Sequence, residues 1–127
     1  MNERREAGRR YLAENLGDDY LAKRDASTNS FNAPIRALSE EYAFGEVWSR
    51  PGLERKTRSM LCVAMLTALN RPHEIRIHVN SAINNGCTVS EIQEVLLQSV
   101  LYCGLPAAID SFAIAEEVLR ERGLLTE

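Results

Sequence analysis

The chain has 127 residues, a formal net charge of −3, 45% hydrophobic residues and 26% charged ones. That length predicts one domain, 1–127, with a core of its own. The charge balance offers no broad cationic field for nucleic acid or an anionic membrane.

The most apolar run, Met60 to Leu69, is about half the length a membrane span needs. No apolar h-region stands near the start, so the expectation is a cytoplasmic protein. Cys62, Cys87 and Cys103 form no CxxC or CxxH pair. They read as reduced thiols that behave as small buried hydrophobes.

The pattern is all-α throughout, because Val, Ile and Thr never alternate with polar residues for a strand's length. A first helix is predicted over Asn2 to Asn15, stopping at Gly17, within an N-terminal helical extension of residues 1–29. Arg4, Arg5, Arg9 and Arg10 alternate there with Glu3, Glu6 and Glu14, which reads as a solvated face. Ser27-Thr28-Asn29-Ser30 is a polar break. Asn32 is placed to cap a helix beginning near Pro34, with Ile35, Leu38 and Tyr42 on one side. Pro51-Gly52 breaks the chain again.

Arg55 to Leu69 reads as a central helix whose second half is apolar all round. A helix of that kind needs cover on every side. In so small a chain, a second subunit is the expected source of part of it, so a homo-oligomer is predicted. Asn70 is expected to cap the next helix, with Pro72 in its first turn and Gly86 as its C-terminal cap. Thr88-Val89-Ser90-Glu91 is a capping box opening a helix to about Cys103. Gly104-Leu105-Pro106 separates it from a last helix, where Ile109, Phe112, Ala113 and Val118 are expected in the core.

Few residues carry chemistry. His78 is flanked at helical spacing by Ile75, Val79 and Ala82, with Glu74 one turn before it. It reads either as a general acid or base or as a core histidine satisfied by a backbone carbonyl. Glu46 lies among Tyr42, Phe44 and Trp48, where partial burial would let it hold a proton. The alternative is a surface carboxylate at a helix end. Trp48 serves equally as a core aromatic. Arg50 and Arg58 are surface charges or carboxylate clamps. Arg76, two positions before His78, faces another side of the helix and has the reach for a neighbouring subunit. His73 and His78 are five residues apart and turn away from each other, so no metal site is expected.

The segment Tyr42-Ala43-Phe44-Gly45-Glu46-Val47-Trp48-Ser49-Arg50-Pro51-Gly52-Leu53 mixes rings, a carboxylate and an arginine beside a turn. With Phe31-Asn32, Thr57-Arg58-Ser59, Glu74, Arg76-Ile77-His78, Asn84-Asn85-Gly86 and Tyr102-Cys103-Gly104, it resembles the carboxymuconolactone decarboxylase family. The resemblance covers nearly the whole chain from about residue 30. Alkyl hydroperoxidase D proteins of the wider superfamily carry a CxxC pair before the histidine. Counting back from His78, those positions hold Arg71 and Glu74, and dithiol chemistry needs two sulfurs.

The resemblance implies a single-domain helical bundle of the alkyl hydroperoxidase D-like type, oligomeric as a trimer or hexamer and free of cofactor. It implies loss of carbon dioxide from a small lactone carboxylate in protocatechuate catabolism, the β-ketoadipate pathway. On that reading His78, Glu46 and Arg58 are catalytic. Arg58 or Arg50 clamps a carboxylate, His78 donates to an oxyanion or delivers a proton, and Glu46 orients His78 or serves as the acid. Trp48 and Tyr42 wall the pocket, and Glu74 and Arg76 complete the substrate-binding set. A different lactone or acid, or a non-enzymatic helical oligomer that binds small acids, remains open.

Overall fold

A computed structural model describes residues 1–127, all of them helix, turn or connecting chain. The helices are α1 (Glu3–Leu16), α2 (Asp18–Ala26), α3 (Ala33–Leu38), α4 (Arg55–Leu69), α5 (Pro72–Asn84), α6 (Val89–Cys103) and α7 (Leu105–Glu121). A π-helical segment, Ser39–Val47, continues α3 without a break. The chain forms two compact units, Met1–Glu54 and Arg55–Glu127. No helix is long and apolar enough to cross a membrane.

In the first unit, the Asn2 side chain caps α1 by accepting from the Arg5 amide at 2.8 Å. The following helix, α2, had no apolar period to announce it. Its ends are instead matched to the helix dipole, with Asp18 and Asp19 in the first turn and Lys23 and Arg24 in the last. Asn32 does not cap α3 through its side chain. Its Oδ1 accepts from the Asn29 amide and its Nδ2 donates to the Ser27 carbonyl, which builds the loop rather than the helix end.

Packing in this unit is aromatic and close. Tyr11 stacks between Phe44 and Trp48, with ring centroids 5.6 and 5.0 Å away. At the crossing of α1 with the π-helical segment, both helices present glycine. A Cβ on Gly8 would lie 1.8 Å from the Glu40 carbonyl oxygen, and one on Gly45 would lie 2.0 Å from that of Arg4. Only glycine permits backbones to approach so closely.

The second unit is a four-helix arrangement in which α4 packs on α5 and α6, and α7 on α5 and α6. Its core is aliphatic: Val63, Ile75, Val79, Ala82, Ile92, Leu96, Ala115, Val118 and Leu119. Two buried hydroxyls, Thr67 and Ser111, hydrogen-bond each other across it at 2.9 Å.

Helix ends in this unit follow local chemistry. Thr88 and Glu91 form the expected reciprocal capping box. Gly86 takes a left-handed turn, and the Cys87 amide donates back to the Ala82 carbonyl at 2.9 Å. Asn70 takes the same role at the end of α4, contrary to the expected N-cap. Its φ is +56°, and the Arg71 amide donates to the Leu66 carbonyl. Asparagine is a residue that tolerates that conformation, so the residue was well read as a helix boundary but assigned to the wrong helix.

Ile109 and Ala113, expected in the core, are exposed, and Ala108, Ser111 and Ala115 take the inward face of α7. Small residues there bring α7 close to its neighbours, and the bulky Ile109 is left on the outer face.

Candidate functional site

His78 is carried by α5, between the fully buried Ile75, Val79 and Ala82. The ring is largely enclosed, and its Nδ1 is sealed from solvent. Burial pushes the imidazole below its ordinary pKa of 6.5, while the negative charge of Glu74 pulls weakly the other way. The net effect keeps His78 neutral at neutral pH. A neutral imidazole has one N–H to donate and one lone pair to accept. Glu74 itself is exposed.

Arg58 stands in the second turn of α4, half-buried, with its Nε screened from water. The next residue, Ser59, is fully buried and accepts from the Asn85 side chain at 2.9 Å, which fixes that turn of α4 to the end of α5. Arg76 is engaged elsewhere: it pairs with Glu117 and, at 3.1 Å, with Glu121 on α7. Two carboxylates of its own chain thus take up the guanidinium that was assigned to substrate.

In the first unit the motif residues separate into two groups. Trp48 is only 8% exposed through its stack on Tyr11. Tyr42 is 64% exposed, in an apolar row with Phe31, Ile35 and Leu38. Glu46 is not enclosed by rings as expected. Its side chain is 43% exposed, 3.6 Å from Arg50 and 3.9 Å from Arg4.

The sequence reading passed over the most buried charge. Glu40 is 2% exposed. Its Oε1 accepts from Arg5 Nε at 2.9 Å and from Arg9 at 3.3 Å, and its Oε2 accepts from Arg24 Nε at 3.3 Å. Burial disfavours this carboxylate, yet the hydrogen bonds from Arg5, Arg24 and Arg9 outweigh it and hold the pKa below the usual 4.5. Arg5 and Arg9, read as part of a solvated face, are therefore inward-facing. One signal was available: they fall at i and i+4 and flank Gly8, and a glycine inside a helix pattern marks a close approach.

Two shallow hollows lie within the second unit. One, between α4 and α6, is apolar and lined by Met60, Leu61, Ala64 and Val95, with Glu94 and Gln98 at its edge. The other lies between α6 and α7, over Ile92, Leu96, Phe112 and Leu119. None of the residues chosen from the sequence lines either hollow. No set of three His, Cys, Asp or Glu converges in a way that would hold a metal ion. The three thiols are free, and burial pushes those of Cys62 and Cys87 upward.

Comparison with known proteins decides the family. The pattern of the carboxymuconolactone decarboxylase family matches residues 34–117. The chain belongs to this family. It is 39% identical over 125 residues to a 4-carboxymuconolactone decarboxylase of Acinetobacter baylyi, covering 98% of this chain and 93% of that one. It is also 35% identical over 106 residues to a nitrosuccinic acid decarboxylase of Metarhizium robertsii, covering 84% and 74% of the two chains. A third relative is an uncharacterized 15.0 kDa protein of Paracoccus denitrificans, 37% identical over 84 residues, covering 64% and 62%. Two of these three relatives are thus named as decarboxylases, and their names give different acids.

Proposed function

We propose that this protein decarboxylates 4-carboxymuconolactone to 3-oxoadipate enol-lactone without a cofactor. The observation that carries the reading is the 39% identity to a named 4-carboxymuconolactone decarboxylase, sustained over 98% of the chain.

The substrate's own electronics make a cofactor unnecessary. Its leaving carboxylate sits on the ring carbon beside the lactone oxygen, one double bond from the lactone carbonyl. As the carbon–carboxylate bond breaks, its electron pair moves through that double bond onto the carbonyl oxygen. Carbon dioxide leaves and a dienolate remains. A proton then adds to the ring carbon beside the carbonyl, giving the enol-lactone. The protein has to hold the acetate arm with a cation, stabilise the growing oxyanion, and supply the proton.

Arg58 is our choice for the clamp, since its guanidinium fork matches a carboxylate. His78 is our choice for the oxyanion donor or proton source. A histidine kept neutral by burial donates its N–H without binding the ground-state carboxylates as a cation would. Glu46, Trp48, Tyr42 and Arg50 are assigned to the reaction through the motif they belong to, and Glu74 as the charge that tempers His78. Arg76, held by Glu117 and Glu121, has the weakest support in this set.

A homo-oligomer is part of the proposal. It is supported by the stripe Leu61, Met65 and Leu69 along α4, which lies exposed in the isolated chain. Sedimentation as a monomer at micromolar concentration would remove it.

The second reading, decarboxylation of a different activated acid, is favoured by the nitrosuccinic acid relative. A nitro group is also an electron sink, so the same demands on the protein recur. The deciding experiment follows ultraviolet loss of freshly prepared 4-carboxymuconolactone with carbon dioxide release, in the presence of chelator. Rapid turnover is expected, falling by about 10²- to 10⁴-fold in a folded His78→Ala variant. Turnover of nitrosuccinic acid alone would transfer the assignment to the second reading, and no turnover of either would end the enzymatic one.

A further inference from the structure

The first unit contains a buried carboxylate that the proposed reaction does not use. Glu40 lies in the first turn of the π-helical segment that carries Tyr42, Phe44 and Glu46 and ends at Trp48. It is gripped from two helices, by Arg5 and Arg9 of α1 and by Arg24 of α2. Arg24 also donates to the neighbouring Ser39 hydroxyl at 2.6 Å, and Arg9 is itself held against Asp25 at 2.6 Å.

The spacing of the contacts explains the helix type. The closest backbone approaches of the segment to α1 are at Glu40 and Gly45. On α1, Gly8 lies against the Glu40 carbonyl and also close to the Gly45 amide, while the Arg4 carbonyl lies against Gly45, and Arg5 and Arg9 reach the Glu40 carboxylate. The α1 points are thus about one α-turn apart, while the points on the segment are five residues apart. Five residues bring a side chain back to the same face in an i→i+5 ladder, but not in an i→i+4 ladder. The Trp48 amide closes that ladder on the Ala43 carbonyl at 2.9 Å. If the segment were α-helical, Glu40 and Gly45 would not face α1 together, and one of the two contacts would be lost.

We infer that Glu40 is a positioning residue: by anchoring Ser39–Val47 to α1 and α2 it holds the π-helical register, and so sets the directions of Glu46 and Trp48. An α-helical register would rotate each successive side chain further round the axis. The end of the segment would then present different faces from those it presents now. The functional consequence rests on the proposed decarboxylation, whereas the register itself does not.

Glu40→Gln tests this, since the amide keeps the shape and removes the charge. Trp48 is the sole tryptophan of the chain, so its fluorescence reports on the end of the segment. The expected result is a folded, helical protein whose Trp48 emission moves to longer wavelength and becomes accessible to acrylamide. Its kcat should fall by about 10²-fold with KM little changed, and Glu40→Asp should restore part of both. A purely structural role would lower the melting temperature and leave kcat per folded molecule unaltered.

An unchanged Trp48 spectrum in folded Glu40→Gln overturns the inference, and so does a shifted spectrum with wild-type kcat. If Glu40→Gln does not fold, Arg24→Gln, which removes one arm of the clamp and its Ser39 bond, carries the same expectations. Should the wild-type protein turn over neither acid, the proposed function fails, and the Trp48 spectrum still decides whether Glu40 holds the register.

Discussion

The two units solve the same problem with different chemistry. Residues 55–127 hold together as a conventional aliphatic core, with Leu96, Val79 and Val118 completely enclosed. Residues 1–54 have few buried aliphatic side chains. They rely on a stacked Tyr11, a glycine crossing and one carboxylate shared by three arginines. An aliphatic core is non-directional and tolerates modest change, whereas a charge cluster and a backbone crossing are specific in geometry. The motif segment that led to the family thus lies in the unit whose structure depends most on named atoms.

Cavity and crowding variants are the sharpest way to break this contrast. Leu96→Ala should cost about 2–5 kcal/mol, because it removes three heavy atoms' worth of contacts from a fully enclosed site. Gly8→Ala adds a single carbon, yet that carbon would sit 1.8 Å from the backbone oxygen of Glu40. No flexible side chain is there to yield, so α1 must move, at a cost of about 3 kcal/mol or more. Hydrogen exchange should show lost protection in residues 1–54 for Gly8→Ala and in residues 55–127 for Leu96→Ala. The same pattern of loss in both variants would erase the distinction.

Acid should separate the units next. Glu40 and Asp25 have folded pKa values below their ordinary 4.5 and 3.8, for Asp25 chiefly through its hydrogen bond from Arg9. A depressed carboxylate contributes stability that is complete above the unfolded value and is lost as pH falls through the folded one. The first unit should therefore hold to about pH 4.5 and weaken below it, as read by Trp48 emission.

His78 has the same sign at a higher pH. Its folded pKa lies below 6.5, so the unfolded chain takes up the proton first. Stability from the neutral ring is complete above 6.5 and declines as pH falls beneath it. Hydrogen exchange in residues 55–127 should begin to rise near that pH, and His78→Gln should abolish the early onset. Simultaneous onset in both units would contradict the assignment of separate titrating groups.

These features differ in how far the sequence revealed them. The end of α1 at Gly17, the capping box at Thr88 and Glu91, and the turn at Gly86 are local signals, and each was legible because a few adjacent residues determine it. The enclosure of His78 was legible for the same reason, from its spacing to Ile75, Val79 and Ala82. The Glu40 cluster was not: its partners lie 16, 31 and 35 residues away, and nothing in the local sequence distinguishes Glu40 from the adjacent Glu41. The π-helical register, which we infer is held by contacts with a distant helix, is likewise not local, and the periodicity of the segment itself reads as an ordinary helix. For Glu46 the sequence left two readings open, and the structure lies nearer the surface carboxylate, because Tyr42 is exposed and two arginines lie within reach of a side chain 43% exposed.

The smallest expected effect concerns the thiols, and it tests whether any sulfur takes part in the reaction. Dithiol catalysis needs one sulfur present as a thiolate and a second placed to resolve the intermediate. Here burial raises the pKa of Cys62 and Cys87, which disfavours the thiolate in both. Cys87 also spends its sulfur locally, donating to the Lys56 carbonyl at 3.6 Å, as a structural cysteine does. The positions four and seven residues before His78, where the resemblance to alkyl hydroperoxidase D proteins would place a thiol pair, hold Glu74 and Arg71, not cysteine. Replacing Cys62, Cys87 and Cys103 together by alanine should then leave kcat/KM on the proposed lactone substrate within about twofold. Stability should fall by roughly 1–2 kcal/mol from the small void at Cys87. A loss of more than about tenfold in a folded triple variant, equivalent to about 1.4 kcal/mol of transition-state stabilisation, would place a sulfur in the reaction after all.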